Sequence, residues 1–172
     1  SVRNFGMIWP VGQPAGELYD IALRSQEFWL ELQSQQVVEA GQCGSIHLAH
    51  HADELAVLEE FCDLGTHQTR LLSVEETVRQ APLVNPEDLR GGLWSPTELR
   101  VDPRVACARI ASWLAEVRGV DCLFETLVTR VEGGRIESAD GRSWTAGRII
   151  GWSGSDLQTR YADILQQSGL RL

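Results

Sequence analysis

From Glu17 onward the apolar residues Leu18, Ile21, Ala22, Phe28, Trp29 and Leu32 recur near helical spacing. The pattern predicts a long amphipathic helix from Glu17 to about Ala40, stopped by Gly41. The sixteen residues before it carry Gly6, Pro10, Gly12, Pro14 and Gly16, too much punctuation for a helix, and read as extended and turning. Alternation over 43–49 predicts a strand. Leu55, Val57, Leu58, Phe61 and Leu64 then mark a helix over 53–64, with Asp53 and Glu54 at its positive end and Gly65 as its stop. A short strand follows at 69–74. Ser73 and Glu76 stand at capping-box spacing before another short helix, which Pro82 and Pro86 end.

Residues 91–96, Gly-Gly-Leu-Trp-Ser-Pro, read as a strand ending in a turn, and Asp102-Pro103 is the sharpest helix start in the chain. That helix runs through Val105, Ala108, Ile110, Ala111, Leu114 and Val117 to Gly119. Strands at 121–132, 135–138 and 142–145, joined by Gly133-Gly134 and Asp140-Gly141, predict an antiparallel meander. A last buried strand over 148–152 leads to a turn at 153–156 and a helix over 157–167. Such mixing predicts α+β (mixed α/β) and excludes a helix bundle or a sandwich.

Composition narrows the function classes. The 172 residues are 43% hydrophobic, and 15 Lys+Arg against 24 Asp+Glu give a net charge of −9. A chain of this length buries roughly 70% of its unfolded surface, enough for a core without disulfides or metal. The acidic balance opposes nucleic acid and anionic membrane surfaces. No apolar run reaches the ~18 residues of a membrane span, so the expected setting is the cytoplasm. Cys43, Cys62, Cys107 and Cys122 form no C-x-x-C pair and read as reduced thiols.

Candidate chemistry is sparse. His47, His50 and His51 lie close together, but no carboxylate or thiol stands at ligand spacing beside them, so no metal is expected. Gly151-Trp152-Ser153-Gly154-Ser155 lacks the Gly-x-Ser-x-Gly spacing of a nucleophile elbow. A Gly/Ser turn between strand and helix also suits backbone N–H groups approaching a phosphate, or it is an ordinary tight turn. Arg3, Asn4, Phe5 and Gly6 put a cation, an amide and an aromatic ring beside a glycine. No residue reads as catalytic from its own spacing.

The order of segments is more telling. Residues 1–10 (Ser-Val-Arg-Asn-Phe-Gly-Met-Ile-Trp-Pro), 44–49 (Gly-Ser-Ile-His-Leu-Ala), 91–96, 99–104 (Leu-Arg-Val-Asp-Pro-Arg) and 149–156 together resemble the middle of an FAD-dependent oxidoreductase. The resemblance is to the D-amino-acid oxidase and glycine oxidase family, in the bacterial branch encountered with phosphonate catabolism, and covers essentially the whole chain. It implies a substrate-domain sheet with helices, a partial FAD-binding-type sheet and the meander. The divisions it suggests are 1–40 (flavin-facing segment and long helix), 41–100 (substrate-type) and 101–172 (remainder of the flavin-type part).

By position, the resemblance implies that Arg3, Asn4, Phe5 and Gly6 pass the flavin and its pyrophosphate. It also implies that the backbone at Val128 meets the adenine, and that Ser153 and Gly154 lie near the diphosphate. Gly92 and Trp94 fall on a substrate-domain strand facing the flavin, and His47 on a neighbouring one. The family implies FAD as cofactor, a small amine or amino acid as substrate, and hydride transfer to flavin. Members begin with a strand, a Gly-x-Gly-x-x-Gly turn and a helix that seats the pyrophosphate; the 172 residues contain no such turn. The expectation is therefore an interior fragment of such an enzyme, inactive and flavin-free by itself. The alternative is a stand-alone interaction domain that self-associates through exposed sheet edges.

Overall fold

The computed structural model describes residues 5–152. The chain forms two compact units that divide between Asp121 and Cys122. In the first, β1 (Met7–Ile8) and a 3-10 turn (Pro10–Gly12) lead to α1 (Glu17–Ser34), β2 (Ala40–Gln42), β3 (Ser45–Ala49) and α2 (Ala52–Asp63). Then come β4 (Arg70–Leu72), α3 (Val74–Gln80), β5 (Gly91–Ser95), β6 (Leu99–Val101) and α4 (Pro103–Arg118). The second unit holds β7 (Val128–Glu132), β8 (Arg135–Ser138) and β9 (Ser143–Thr145). The fold is mixed α+β, as the alternation of patterns predicts, and every described ladder is antiparallel.

Two three-stranded sheets make up the first unit, in the orders β1-β6-β2 and β3-β5-β4. The apolar core lies on the first of them. Buried Val37, Val38, Ala40, Leu99 and Ala106 pack with Trp29, Leu30 and Leu32 of α1 and with Ile110 and Trp113 of α4. α1 stops at Ser34, short of Ala40, because Gln36 takes a left-handed φ of 59° and turns the chain. The β-branched pair Val37-Val38 then runs into the core, and the Gln33 side chain accepts the Ala40 N–H at 3.0 Å. Gly41, expected as a helix stop, lies inside β2 instead.

Local signals hold closely elsewhere. Ser73 accepts the Glu76 N–H at 3.2 Å while Glu76 accepts the Ser73 N–H at 2.9 Å, the reciprocal box that starts α3. Asp102 caps α4 through the Arg104 N–H at 3.0 Å, Pro103 opens the helix, and Gly119 ends it with φ 64°. The hairpin glycines Gly133, Gly134 and Gly141 all have positive φ, and β7-β8-β9 is the expected meander.

Two strand expectations fail. The strand placed at 121–132 starts only at Val128, because Glu125 turns with φ 53° and Thr126 bonds back to the Phe124 carbonyl at 3.0 Å. Residues 148–152 form no strand, and Ile150 and Trp152 are 69% and 91% exposed. An apolar run becomes a strand only when a neighbour pairs with it, and no described strand does so here. The turn at 153–156 and the helix at 157–167 lie outside the described residues.

Candidate functional site

Gly6 sets the geometry of the N-terminal segment. Its φ is 75°, and a Cβ there would lie 2.1 Å from the Val101 carbonyl oxygen, so only glycine fits. The Gly6 carbonyl in turn accepts the Val101 N–H at 2.8 Å. Met7 and Ile8 then pair with Arg100 and Leu99 of β6. Trp9 folds its indole over Gly12, where a Cβ would come within 2.7 Å of the ring, and stacks on His47 with centroids 5.7 Å apart and planes 14° from parallel.

A mainly apolar cavity of about 350 Å³ opens between this segment, α1 and α4. Gly6, Met7, Ile8, Trp9 and Pro10 form one wall, Ala22, Ser25 and Trp29 of α1 another, and Val101, Pro103, Ala106 and Cys107 the floor. Phe5, beside it in sequence, is almost fully exposed. Arg3, Asn4, Ser153 and Gly154 lie outside the described residues.

The second sheet separates the expected substrate-facing residues. His47 pairs with Leu93 and Ile46 with Trp94. Successive side chains point to opposite faces, so His47 shares a face with Ser45, Leu93 and Ser95, while Gly92 and Trp94 share the other with Ile46 and Arg70. Gly92 lies under α3: a Cβ would meet the Thr77 hydroxyl at 3.2 Å, and Thr77 is fully buried. Trp94 is half-buried over Gly44, where a Cβ would come 2.1 Å from the ring. Val128 belongs to the second unit, where it opens β7 opposite Ser138 beside an irregularity in the ladder.

A buried carboxylate joins the two sheets. Glu98, only 3% exposed, accepts the Val11 N–H at 3.2 Å, the Ser95 hydroxyl at 3.1 Å and the Thr97 hydroxyl at 2.8 Å on Oε1. Its Oε2 accepts the Ser45 hydroxyl at 3.1 Å, and its backbone carbonyl takes the N–H groups of Cys43 and Gly44. No described cation lies within ion-pairing distance of it. Sequence reasoning passes over this cluster, whose one signal is an acidic residue closely preceded by Ser95 and Thr97 between two strands. Across the same face, His47 Nε2 is the sole buried side-chain polar atom among the described residues without a hydrogen-bond partner.

The surface carboxylates behave differently. The Arg104 side chain and backbone hold Asp102 down to about 2. Glu54 is lowered by the N–H groups of His50 and His51, and Glu76 by that of Ser73. His50 and His51 thus serve the start of α2, and among the described residues no group of His, Cys, Asp and Glu side chains could hold a metal ion.

Two small antiparallel sheets with helices, an apolar cleft beside a glycine-bearing segment and a meander in a second unit make up the described chain. The sequence matches the family described as "DAO: FAD dependent oxidoreductase" over residues 1–152, and the chain belongs to that family. No curated protein matches it. Among solved structures it is similar to glycine oxidase from Geobacillus kaustophilus, with TM-score 0.75 and 20% identity over 97% of this chain and 47% of that one. L-proline dehydrogenase from P. horikoshii gives TM-score 0.73 and 21% identity over 87% of this chain and 42% of that one. Iminodiacetate oxidase from Chelativorans sp. BNC1 gives 0.69 and 22%, over 92% and 46%. The chain therefore spans less than half the length of these structures, and the likeness is one of fold.

FAD, the cofactor of this family, fits the described residues at one end only. A cavity of about 350 Å³ with apolar walls is in the size range that buries a planar ring. The pyrophosphate calls for a helix N-terminus free of negative charge. Glu17 and Asp20 occupy the first turn of α1, Asp53 and Glu54 that of α2, Glu75 and Glu76 that of α3, and Asp102 caps α4. No described helix start suits a diphosphate.

Proposed function

We propose that this chain supplies the substrate-type sheet and a ring-side wall of the flavin site in an FAD-dependent oxidoreductase acting on a small amine or amino acid. The observation that carries the reading is the apolar cavity walled by Gly6, Met7 and Trp9, within a chain matched to the family across 1–152. Solved structures of similar fold include a glycine oxidase, a proline dehydrogenase and an iminodiacetate oxidase, whose names share an amino-acid or imino-acid substrate. In this reading 41–100 form the substrate-type part, and 1–40 with 101–172 the flavin-type part.

Bound FAD would accept the hydride from the carbon that carries the substrate nitrogen. The residues of this chain bind and orient: Gly6 lets the backbone pass close to β6, and Trp9 and Trp29 exclude water. Among the described residues the helix starts are acidic and offer the pyrophosphate no cradle, which supports the reading that the chain by itself holds no flavin. Purified, the chain is expected to be colourless, and stoichiometric flavin absorbance would overturn that statement. For the activity, the flavin of the gene product that carries these residues should bleach when small primary and secondary amino acids are added without oxygen. No bleaching with any of them rejects the substrate class.

A second reading, self-association, has one observation in its favour: β3 and β4 are the two edges of their three-stranded sheet. Sedimentation decides it, a dimer supporting the reading and a monomer at high concentration removing it. Among the described residues no helix is long and apolar enough to cross a membrane.

A further inference from the structure

We infer that Glu98 is the positioning residue of the cavity: it fixes the turn after Trp9, and so decides where the indole stands between the cavity and His47. The inference takes from the preceding reading only the view that this cavity is the functional one. A buried carboxylate without a cation is costly unless donors surround it. Four donors surround Glu98, and they come from three separate stretches: Val11 after β1, Ser45 at the start of β3, and Ser95 at the end of β5 with Thr97 just beyond it. Each hydroxyl has one proton, so with those of Ser95 and Thr97 given to Glu98, their mutual approach of 3.0 Å adds no further bond.

Val11 and Glu98 are 87 residues apart, and the Val11 N–H is the one backbone donor to the carboxylate among the described residues. Trp9 and Pro10, immediately before it, line the cavity. Their other restraints are the pairing of Ile8 with Leu99 before them, the Gln13 N–H given to the Pro10 carbonyl at 2.9 Å within the turn, the stack of Trp9 on His47 and the packing of its ring over Gly12. His47 Nε2 has no partner, so His47 steers the indole by its ring face alone. β1 is held by β6 and the turn by its own Gln13–Pro10 bond, so the Val11–Glu98 bond is what ties that turn to the β5–β6 connection and sets how Trp9 leaves β1.

The test is amide hydrogen exchange and side-chain NMR on the whole chain, without flavin, so that its result is independent of the bleaching experiment. Glu98→Gln puts an amide donor among four donors and should speed exchange at Val11 about tenfold or more, with the amides of β5 as the internal reference. The Trp9 indole and His47 ring resonances should move with it. Thr97→Val, which keeps the carboxylate and removes its nearest donor, should give a smaller change of the same kind and serves if Glu98→Gln does not fold. If Val11 exchange rises only in step with β5, or if Trp9 and His47 resonances stay in place, Glu98 contributes stability alone and the inference fails.

Discussion

In the first unit a carboxylate removed from water ties together segments 87 and 53 residues apart. In the second, Glu132, Glu137 and Asp140 stay at the surface, and each is paired with an arginine two residues away: Arg130, Arg135 and Arg142. Both arrangements satisfy an acid, but they do different things. Around Glu98 the bonds are buried and reach across the chain, so they specify which strands meet. In the meander water competes for every pair, and the Gly-Gly and Asp-Gly turns already dictate which strands meet. The first unit is thus specified by distant, buried bonds and the second by local backbone geometry.

Substitutions can break this contrast. Leu99 is nearly fully buried at the centre of the first unit's core, and Leu99→Ala should cost about 2–5 kcal/mol in denaturant unfolding. Gly44→Ala drives a methyl into the Trp94 ring at a φ of 62° and should cost about 1–3 kcal/mol, with a shift in indole emission. A loss below a few tenths would show that Trp94 moves freely, and would weaken its assignment to a packed face.

Acid probes both units through their caps. Asp102 sits at about 2 when folded against an ordinary 3.8, and Asp140 is lowered further by the Arg142 and Ser138 side chains. The unfolded chain therefore binds more protons across that interval, so the stability these groups lend is complete above about 4 and is lost as pH falls toward 2. A pH series of thermal melts should show this decline, and Asp102→Asn should flatten it. Smallest of all, Arg142→Ala should leave the melting transition almost unmoved, because its ion pair is half exposed and water and salt screen it. A larger loss would mean that the meander depends on its charges after all.

Legibility follows the same division. Ser73 with Glu76, Asp102-Pro103 and the turn glycines were readable because each acts within a few residues of itself. β1, β2 and β6 escape periodicity: they are two or three residues long and exist because they pair across the chain. The run at 148–152 shows the converse, an apolar pattern with no described partner. At the candidate site, the resemblance pointed to His47, Gly92 and Trp94 as a set, yet a period of two makes facing depend on register, and register puts His47 on the face opposite Gly92 and Trp94. Glu98 was invisible because a carboxylate between a turn and a strand ordinarily faces water.

The placement of β6 between β1 and β2 has a consequence in time. The strand beside β1 arrives only after most of the first unit has been made, and loops of 87 and 53 residues must close before Glu98 can gather its donors. The meander closes within 8 residues, Thr129 to Glu137. Loop closure precedes the reward of distant contacts, so refolding should build the meander early and the cavity wall last. Until β6 is seated, Leu99 and the apolar faces of α1 and α4 remain open to neighbouring chains, and association during refolding should be most severe in that interval.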